Sequence, residues 1–196
     1  MNTLAFFDLD GTITRSDTML SFLHMLKGQV AGGLLLGSVL PAWCGAKLGL
    51  CPEDLAKRQL VQRAFGGQAT EPLEAAATRF TAEVMPGLLR PAAMERLAWH
   101  QANGHQVVIV TASCSLWVAP WCRAQGLQLM ATEMEVSGGT YTGRLSTPNC
   151  KGEEKVRRIK AEWPDLSGME VHAYGDTPGD RPMLGLAGLP HYKPFR

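Results

Sequence analysis

The 196-residue sequence has no dense basic patch: 19 Lys and Arg stand against 18 Asp and Glu, a formal net charge of +1. That near-cancellation removes the electrostatic footprint of a nucleic-acid binder, so no nucleic-acid partner is expected. Cysteine is sparse and unpatterned. Cys44, Cys51, Cys114, Cys122 and Cys150 are odd in number and lack metal-ligand spacing, which fits reduced thiols and a cytoplasmic location. The amino terminus runs straight into a strand-like segment with acidic residues behind it, so no signal peptide is expected. Charge is absent altogether from Gly28 to Ala46. What remains is the composition of an ordinary soluble domain, long enough for one substantial core with a modest insertion.

The rest of the chain is organised around Asp8-Leu9-Asp10-Gly11-Thr12, which follows the apolar run Leu4-Ala5-Phe6-Phe7. A short unbroken apolar segment reads as a buried strand, and acidic residues two positions apart leave its carboxyl end on the same side. Open α/β sheets place their chemistry there. Two neighbouring carboxylates are costly unless a cation or a proton lies between them, so the pair points to a bound metal, an ionised nucleophile and a proton donor. An Asp-Gly turn with no further role is the plainer alternative for these five residues.

Three later segments add to the motif. Gln106 to Val110 is a β-branched run ending in Thr111-Ala112-Ser113, where a hydroxyl and consecutive N–H groups before a helix suit a phosphate. Lys151-Gly152-Glu153 opens a helix with Val156, Ile159 and Trp163 on one face. A lysine there works against the helix dipole unless an anion lies beside it. Met169 to Tyr174 delivers Gly175-Asp176-Thr177-Pro178-Gly179-Asp180, acidic residues on a glycine-containing loop that suits a hard metal.

Together these motifs resemble the haloacid dehalogenase superfamily of phosphatases over nearly the whole chain. They are most like the branch holding phosphoserine phosphatases and a bacterial phosphatidylglycerophosphate phosphatase. The resemblance implies an α/β fold, a Rossmann-like parallel sheet flanked by helices over residues 1–16 and 86–196, with a helical C1-type cap over 17–85. It implies that Asp8 is the nucleophile and Asp10 the general acid and base. Thr111, assisted by the Ala112 and Ser113 backbone, and Lys151 would bind the phosphoryl group. Mg²⁺ would be held by Asp8, Asp176 and the Asp10 carbonyl, with Asp180 behind them or as an alternate ligand. The substrate would be a small phosphorylated metabolite or a phospholipid head-group phosphate. Phosphoserine phosphatases usually carry Asn where Gly179 stands, which counts against phosphoserine.

In the cap, Asp17-Thr18 reads as a helix start followed by Met19, Phe22, Leu23 and Leu26. Asp17 matches a family residue that holds a substrate ammonium, but an N-cap is the preferred reading. Gly28 to Ala46 approaches a membrane span in length. Five glycines, Pro41 and the flanking Lys27 and Lys47 weigh against crossing. Its readings, in order, are a buried cap hairpin broken near Pro41, a contact with a membrane surface or lipid tail, and a true span. A surface contact would put the protein at the inner face of a membrane. Two further helices are expected, one after Pro52-Glu53-Asp54 that ends at Gly66-Gly67 and one over Glu71 to Val84. Arg58, Arg63 and Arg79 are candidates for reaching the site.

Beyond the cap, Pro91 begins a helix stopped by Gly104. Trp117 and Trp121 read as packing, and Pro120 should kink or restart their helix. Met130 to Val136, Gly138-Gly139 and Tyr141 to Leu145 read as a hairpin. The final sheet strand is expected to be short or missing, since the sequence stops at Arg196. The competing functions are a metal-free dehalogenase, a phosphomutase or phosphotransferase, and a non-catalytic membrane-associated binding or regulatory protein.

Overall fold

A computed structural model describes residues 3–196. In chain order its elements are β1 (Thr3–Phe7), α1 (Thr18–Gly37), α2 (Leu40–Lys47), α3 (Leu55–Phe65), α4 (Thr70–Glu83), α5 (Met85–Leu88), α6 (Pro91–Ala102), β2 (Gln106–Cys114), α7 (Ser115–Ala124) and β3 (Gln128–Thr132). These are followed by β4 (Met134–Ser137), β5 (Thr140–Leu145), α8 (Glu153–Glu162), β6 (Glu170–Gly175), α9 (Arg181–Leu184) and β7 (Leu189–Tyr192).

Alternation along the central strands sets the layers. Ala5 and Phe7 of β1, with Val107 and Ile109 of β2, enter one core. Leu4 and Phe6, with Val108 and Val110, enter the other. A parallel sheet buried on both faces needs helices on both. Ala93 and Leu97 of α6 and Leu116 and Trp117 of α7 cover the first face. Ile159 of α8 and Met183 and Leu184 of α9 cover the second. The sheet order is β3-β2-β1-β6-β7, every pair parallel. The chain winds outward on one side of β1 and then on the other, so the switch point lies at the carboxyl end of β1. The fold is the expected Rossmann-like α/β sheet, and its last strand, β7, is short but present.

Helices α1 to α4 leave and rejoin the sheet domain at one point. Thr14 and Leu89 form an antiparallel bridge, with Arg15 N–H donating to Leu88 O at 2.8 Å and Arg90 N–H to Ile13 O at 2.8 Å. Above that neck, Phe22 of α1, Phe65 of α3 and Phe80 of α4 gather around Trp117 of α7. The Phe22 ring centroid lies 5.4 Å from that of Phe80 and 5.5 Å from that of Trp117. Trp117 is therefore a packing residue that fixes the insertion to the sheet domain.

Three expectations change. Gly28 to Ala46 is a helical hairpin, but it is not buried: Val30, Leu34, Leu40 and Trp43 face solvent, because only Leu35, Leu36, Val39 and Ala42 turn inward. Nor is it a span. α1 has the length and composition to cross a membrane, but it breaks at Gly28, where φ is 76°, and Phe22 and Leu23 before the break are packed in the core. Residues 29–37 rise only about 14 Å, against about 30 Å of hydrocarbon. Pro120 sits inside a continuous α7, which Trp117, Val118, Trp121 and Cys122 anchor on both sides of it. Finally, residues 130–132 belong to β3 in the main sheet, and only β4 and β5 form the antiparallel hairpin.

Candidate active site

The motif after β1 folds as a wide turn closed by Thr14 N–H donating to Leu9 O at 3.0 Å. Gly11 takes φ +87°, and a Cβ there would lie 2.6 Å from Asp176 Oδ2. Only glycine lets the turn approach the second acidic loop so closely. At the start of that loop, a Cβ on Gly175 would lie 2.5 Å from the Asp180 Cβ. One glycine thus lets the two acidic loops meet, and the other lets the second loop close on itself.

Asp8 is buried there. Its Oδ1 accepts from Lys155 Nζ at 2.7 Å and its Oδ2 from Thr12 Oγ1 at 3.1 Å. Lys155 Nζ also donates to Asp180 Oδ1 at 2.8 Å. Burial opposes the Lys155 charge, but Asp8 and Asp180 outweigh it and hold its pKa above the ordinary lysine value. Burial pushes the Asp8 carboxyl up to about 7, against the pull of Lys155. Asp180 Oδ2 accepts from the N–H groups of Asp176 (3.1 Å) and Thr177 (2.9 Å) and from Thr177 Oγ1 (2.8 Å). Burial acts to raise the Asp180 pKa, but Lys155 and these donors lower it below the usual carboxylate value. Asp180 therefore holds the loop and the lysine, and both of its oxygens are engaged.

Asp10 is turned away from this cluster. Its Oδ1 accepts from Thr18 N–H at 2.7 Å and its Oδ2 from Ser113 Oγ at 2.6 Å. Burial, with the Asp17 charge adding, raises its pKa to about 6. A carboxyl that exchanges its proton near neutrality suits acid and base work. Thr111 is fully buried, and its Oγ1 accepts from Ser113 N–H at 3.0 Å, leaving its own proton free to donate.

The site differs from expectation in three places. Lys151 is not the lysine on the nucleophile. It precedes α8, and its side chain runs past Gly179 to Glu53 of the insertion. Lys155 takes that place because it lies one helical turn later on the buried stripe that also carries Ile159. That shared stripe is the signal by which the sequence could have shown it. The Ser113 N–H is committed to Thr111 and its hydroxyl to Asp10, so Ser113 orients Asp10 and does not offer a free N–H to phosphate.

The third difference is a residue that the sequence reading missed. Lys57 of α3 reaches the site from the insertion and donates to Thr132 Oγ1 (3.0 Å), Asn149 Oδ1 (2.6 Å) and Ala112 O. Burial lowers its pKa. Of the arginines expected there, Arg58 pairs with Asp54 and Arg63 with Ser38, both at exposed positions. Asp17 is the N-cap of α1, its carboxylate accepting from Leu20 N–H at 3.1 Å.

Asp8, Asp10, Thr111, Ala112, Ser113, Lys155 and Asp180 line one cavity of 280 Å³, and Lys151, though it does not reach Asp8, lines it too. A larger cavity of 730 Å³ between α4 and α7 contains none of the motif residues, so chemistry and not volume marks the site. Carboxylate oxygens of Asp8, Asp176 and Asp180 lie within 4.8 Å of one another. This buried, all-oxygen donor set fits a hard divalent cation. Asp176 also draws the Arg196 guanidinium, so the pocket attracts positive charge.

Fold and site define an enzyme with a Rossmann-like parallel sheet, a carboxylate centre at the sheet switch point and a helical insertion above it. The chain belongs to the haloacid dehalogenase-like hydrolase family, whose model matches residues 5–185. Protein CicA of Caulobacter vibrioides is 34% identical, covering 98% of this chain and 86% of CicA. A protein of Mycobacterium tuberculosis named as a probable phosphatase is 30% identical, covering 95% of this chain and 67% of its own. Among solved structures, a Bordetella pertussis protein of unknown function superposes with a TM-score of 0.83 at 25% identity, over 97% of this chain and 89% of that one. A phosphoserine phosphatase in apo form shares the fold, with a TM-score of 0.67 at 18% identity over 98% and 86% of the two chains.

Proposed function

We propose that the protein is a Mg²⁺-dependent phosphatase that hydrolyses phosphomonoesters through an aspartyl phosphate on Asp8. The observation that carries this reading is the division of labour between the two motif carboxylates. Asp8 lies against the Lys155 ammonium, while Asp10 is held apart by Thr18 and Ser113. An Asp8 oxygen attacks phosphorus, the bond to the leaving oxygen breaks, and Asp10 protonates that oxygen. Asp10 then takes a proton from the water that attacks the aspartyl phosphate, and orthophosphate leaves. Lys155 and the free Thr111 hydroxyl proton face the oxygens that gain charge. Asp8 and Asp176, with the Asp10 carbonyl, would hold Mg²⁺, which when bound supplies positive charge against the nucleophile and the phosphoryl oxygens.

The Asp10 hydrogen bonds and the Asp176 loop favour this over a metal-free dehalogenase. Phosphoserine itself is disfavoured. Asp17 is engaged as a helix cap, and the space beside Gly179 is filled by the Lys151 stem, whose Cε would lie 3.0 Å from a Cβ there. The same reading puts the enzyme in the cytoplasm with the α1–α2 hairpin against the inner face of a membrane. Its support is the solvent exposure of apolar side chains there: 79% for Val30, 73% for Leu34, 73% for Leu48 and 78% for Leu50.

The test is phosphate release by the purified protein from phosphoserine, sugar phosphates, nucleotides and a short-chain lipid phosphomonoester, with Mg²⁺ and with a chelator. Release that stops on chelation and returns with Mg²⁺ is expected. Release from none of them, or release unaffected by chelation, contradicts the proposal.

A further inference from the structure

Next to the catalytic cavity lies a second one of 400 Å³, within the range of about 300–1,000 Å³ typical of small-molecule sites. Its walls come from α1, α2 and α3 and are almost wholly apolar, among them Leu20, Leu36, Val39, Leu40, Trp43 and Leu60. Its polar residues are Asp17 and Lys57, which together with Met19 also line the catalytic cavity. The two cavities therefore adjoin, one polar and one apolar. Leu40 and Trp43 are about half exposed while lining the apolar cavity. It thus continues outward into the exposed apolar surface of the hairpin.

Resting on the phosphatase reading above, we propose that the second cavity is a subsite for a hydrocarbon chain, so that the substrate class is an amphiphilic phosphomonoester. The phosphate lies at Asp8, the polar link passes Asp17 and Lys57, and the chain lies between Leu36, Val39 and Trp43. Two features support one continuous ligand. A chain emerging past Leu40 and Trp43 covers surface that would otherwise face water. The lysines Lys27 and Lys47 flank the hairpin, as suits the charged boundary of an anionic amphiphile layer. The chain can come from a free single-chain alkyl phosphate or from a lipid in a bilayer.

The experiment uses butyl to decyl monoalkyl phosphates below their aggregation limits, with equilibrium binding measured by calorimetry beside kcat/KM. It is run on the wild type and on Leu36→Trp, which fills the cavity without touching the catalytic groups. Val39→Phe serves if the first variant folds poorly. Affinity and kcat/KM should rise about fourfold per methylene until the cavity is full. The variant should lose that rise while keeping its butyl phosphate turnover.

A wild-type response that is flat with chain length, and no gain on vesicles that Leu36→Trp abolishes, overturns the subsite, and with butyl phosphate still hydrolysed it leaves the phosphatase reading standing. Failure to turn over any phosphate overturns the phosphatase reading; a flat binding series then overturns the subsite as well. A lipid phosphomonoester in phosphatidylcholine vesicles supplies the second arm. A rise with monomeric alkyl phosphates supports a free amphiphile, and a rise only on vesicles that Leu36→Trp abolishes supports a bilayer lipid. A rise on vesicles that Leu36→Trp leaves intact overturns the subsite.

Discussion

The floor of the site and the outer hairpin of the insertion are opposite solutions to the burial of side chains. On the floor, Asp8, Asp176, Asp180 and Lys155 are charged and buried, and each is paired. Burying charge is tolerable only with such partners, so the geometry there is over-determined and intolerant of change. The hairpin and the turn after it leave Val30, Leu34, Leu48 and Leu50 in water, with no partner among the described residues. Stability explains the floor's pairings only as support for chemistry, and it does not explain the hairpin's exposure at all. Both regions depart from what folding alone favours, which is where function is expected.

Breaking the floor should have the largest effect. Asp8→Asn should lower kcat by about 10⁴-fold or more while the circular dichroism spectrum stays native; appreciable turnover would refute its role. Lys155→Met should follow. It leaves two carboxylates buried without their cation, so a stability loss of about 3 kcal/mol in urea titration and near-loss of turnover are expected. Lys151→Met removes a largely exposed pair with Glu53, and its effect on stability should stay within about 1 kcal/mol. Equal effects of the two substitutions would dissolve the distinction between them.

A third place sharpens the comparison through its pH dependence. His100 is fully buried, its ring nitrogens facing His105 Nδ1 at 2.8 Å and Tyr174 OH at 2.9 Å. Burial, with His172 and His105 adding, lowers its pKa to about 3. The unfolded chain takes up this proton near pH 6.5 and the folded chain does not. Wild-type stability should therefore be complete above pH 6.5 and fall as the pH drops toward 3. Measured as the difference in Tm between wild type and His100→Phe, the gap should move in favour of the variant between pH 6.5 and 4; a constant gap would contradict this. The smallest effect belongs to the hairpin. Leu34→Ser should change stability by no more than about 0.5 kcal/mol, yet reduce co-sedimentation with anionic vesicles. Unchanged vesicle binding would detach Leu34 from any surface contact.

The sequence made the fold legible where information is local. The apolar runs of β1, β2 and β6 and the acidic residues at their ends are contiguous, so the switch point and Asp8, Asp10 and Asp176 could be read directly. What could not be read depends on rotation about a helix or on packing at a distance. Lys151 and Lys155 differ by one turn, and only the true start of α8 at Glu153 decides which of them faces the sheet. Lys57 resembles its exposed neighbour Arg58 in sequence, and the docking of α3 alone turns it onto Ala112 and Asn149. The hairpin looked like core because apolar residues usually are, but α1 and α2 are too narrow a pair to hide both of their faces.

The most direct test of the catalytic reading is acid quenching of the protein mixed with Mg²⁺ and a hydrolysed phosphomonoester, followed by mass spectrometry of the peptide containing Asp8. A phosphoryl adduct on Asp8 that is absent from Asp8→Asn is the expected result. Steady phosphate release with no adduct on that peptide, persisting in Asp8→Asn, would contradict a nucleophilic Asp8.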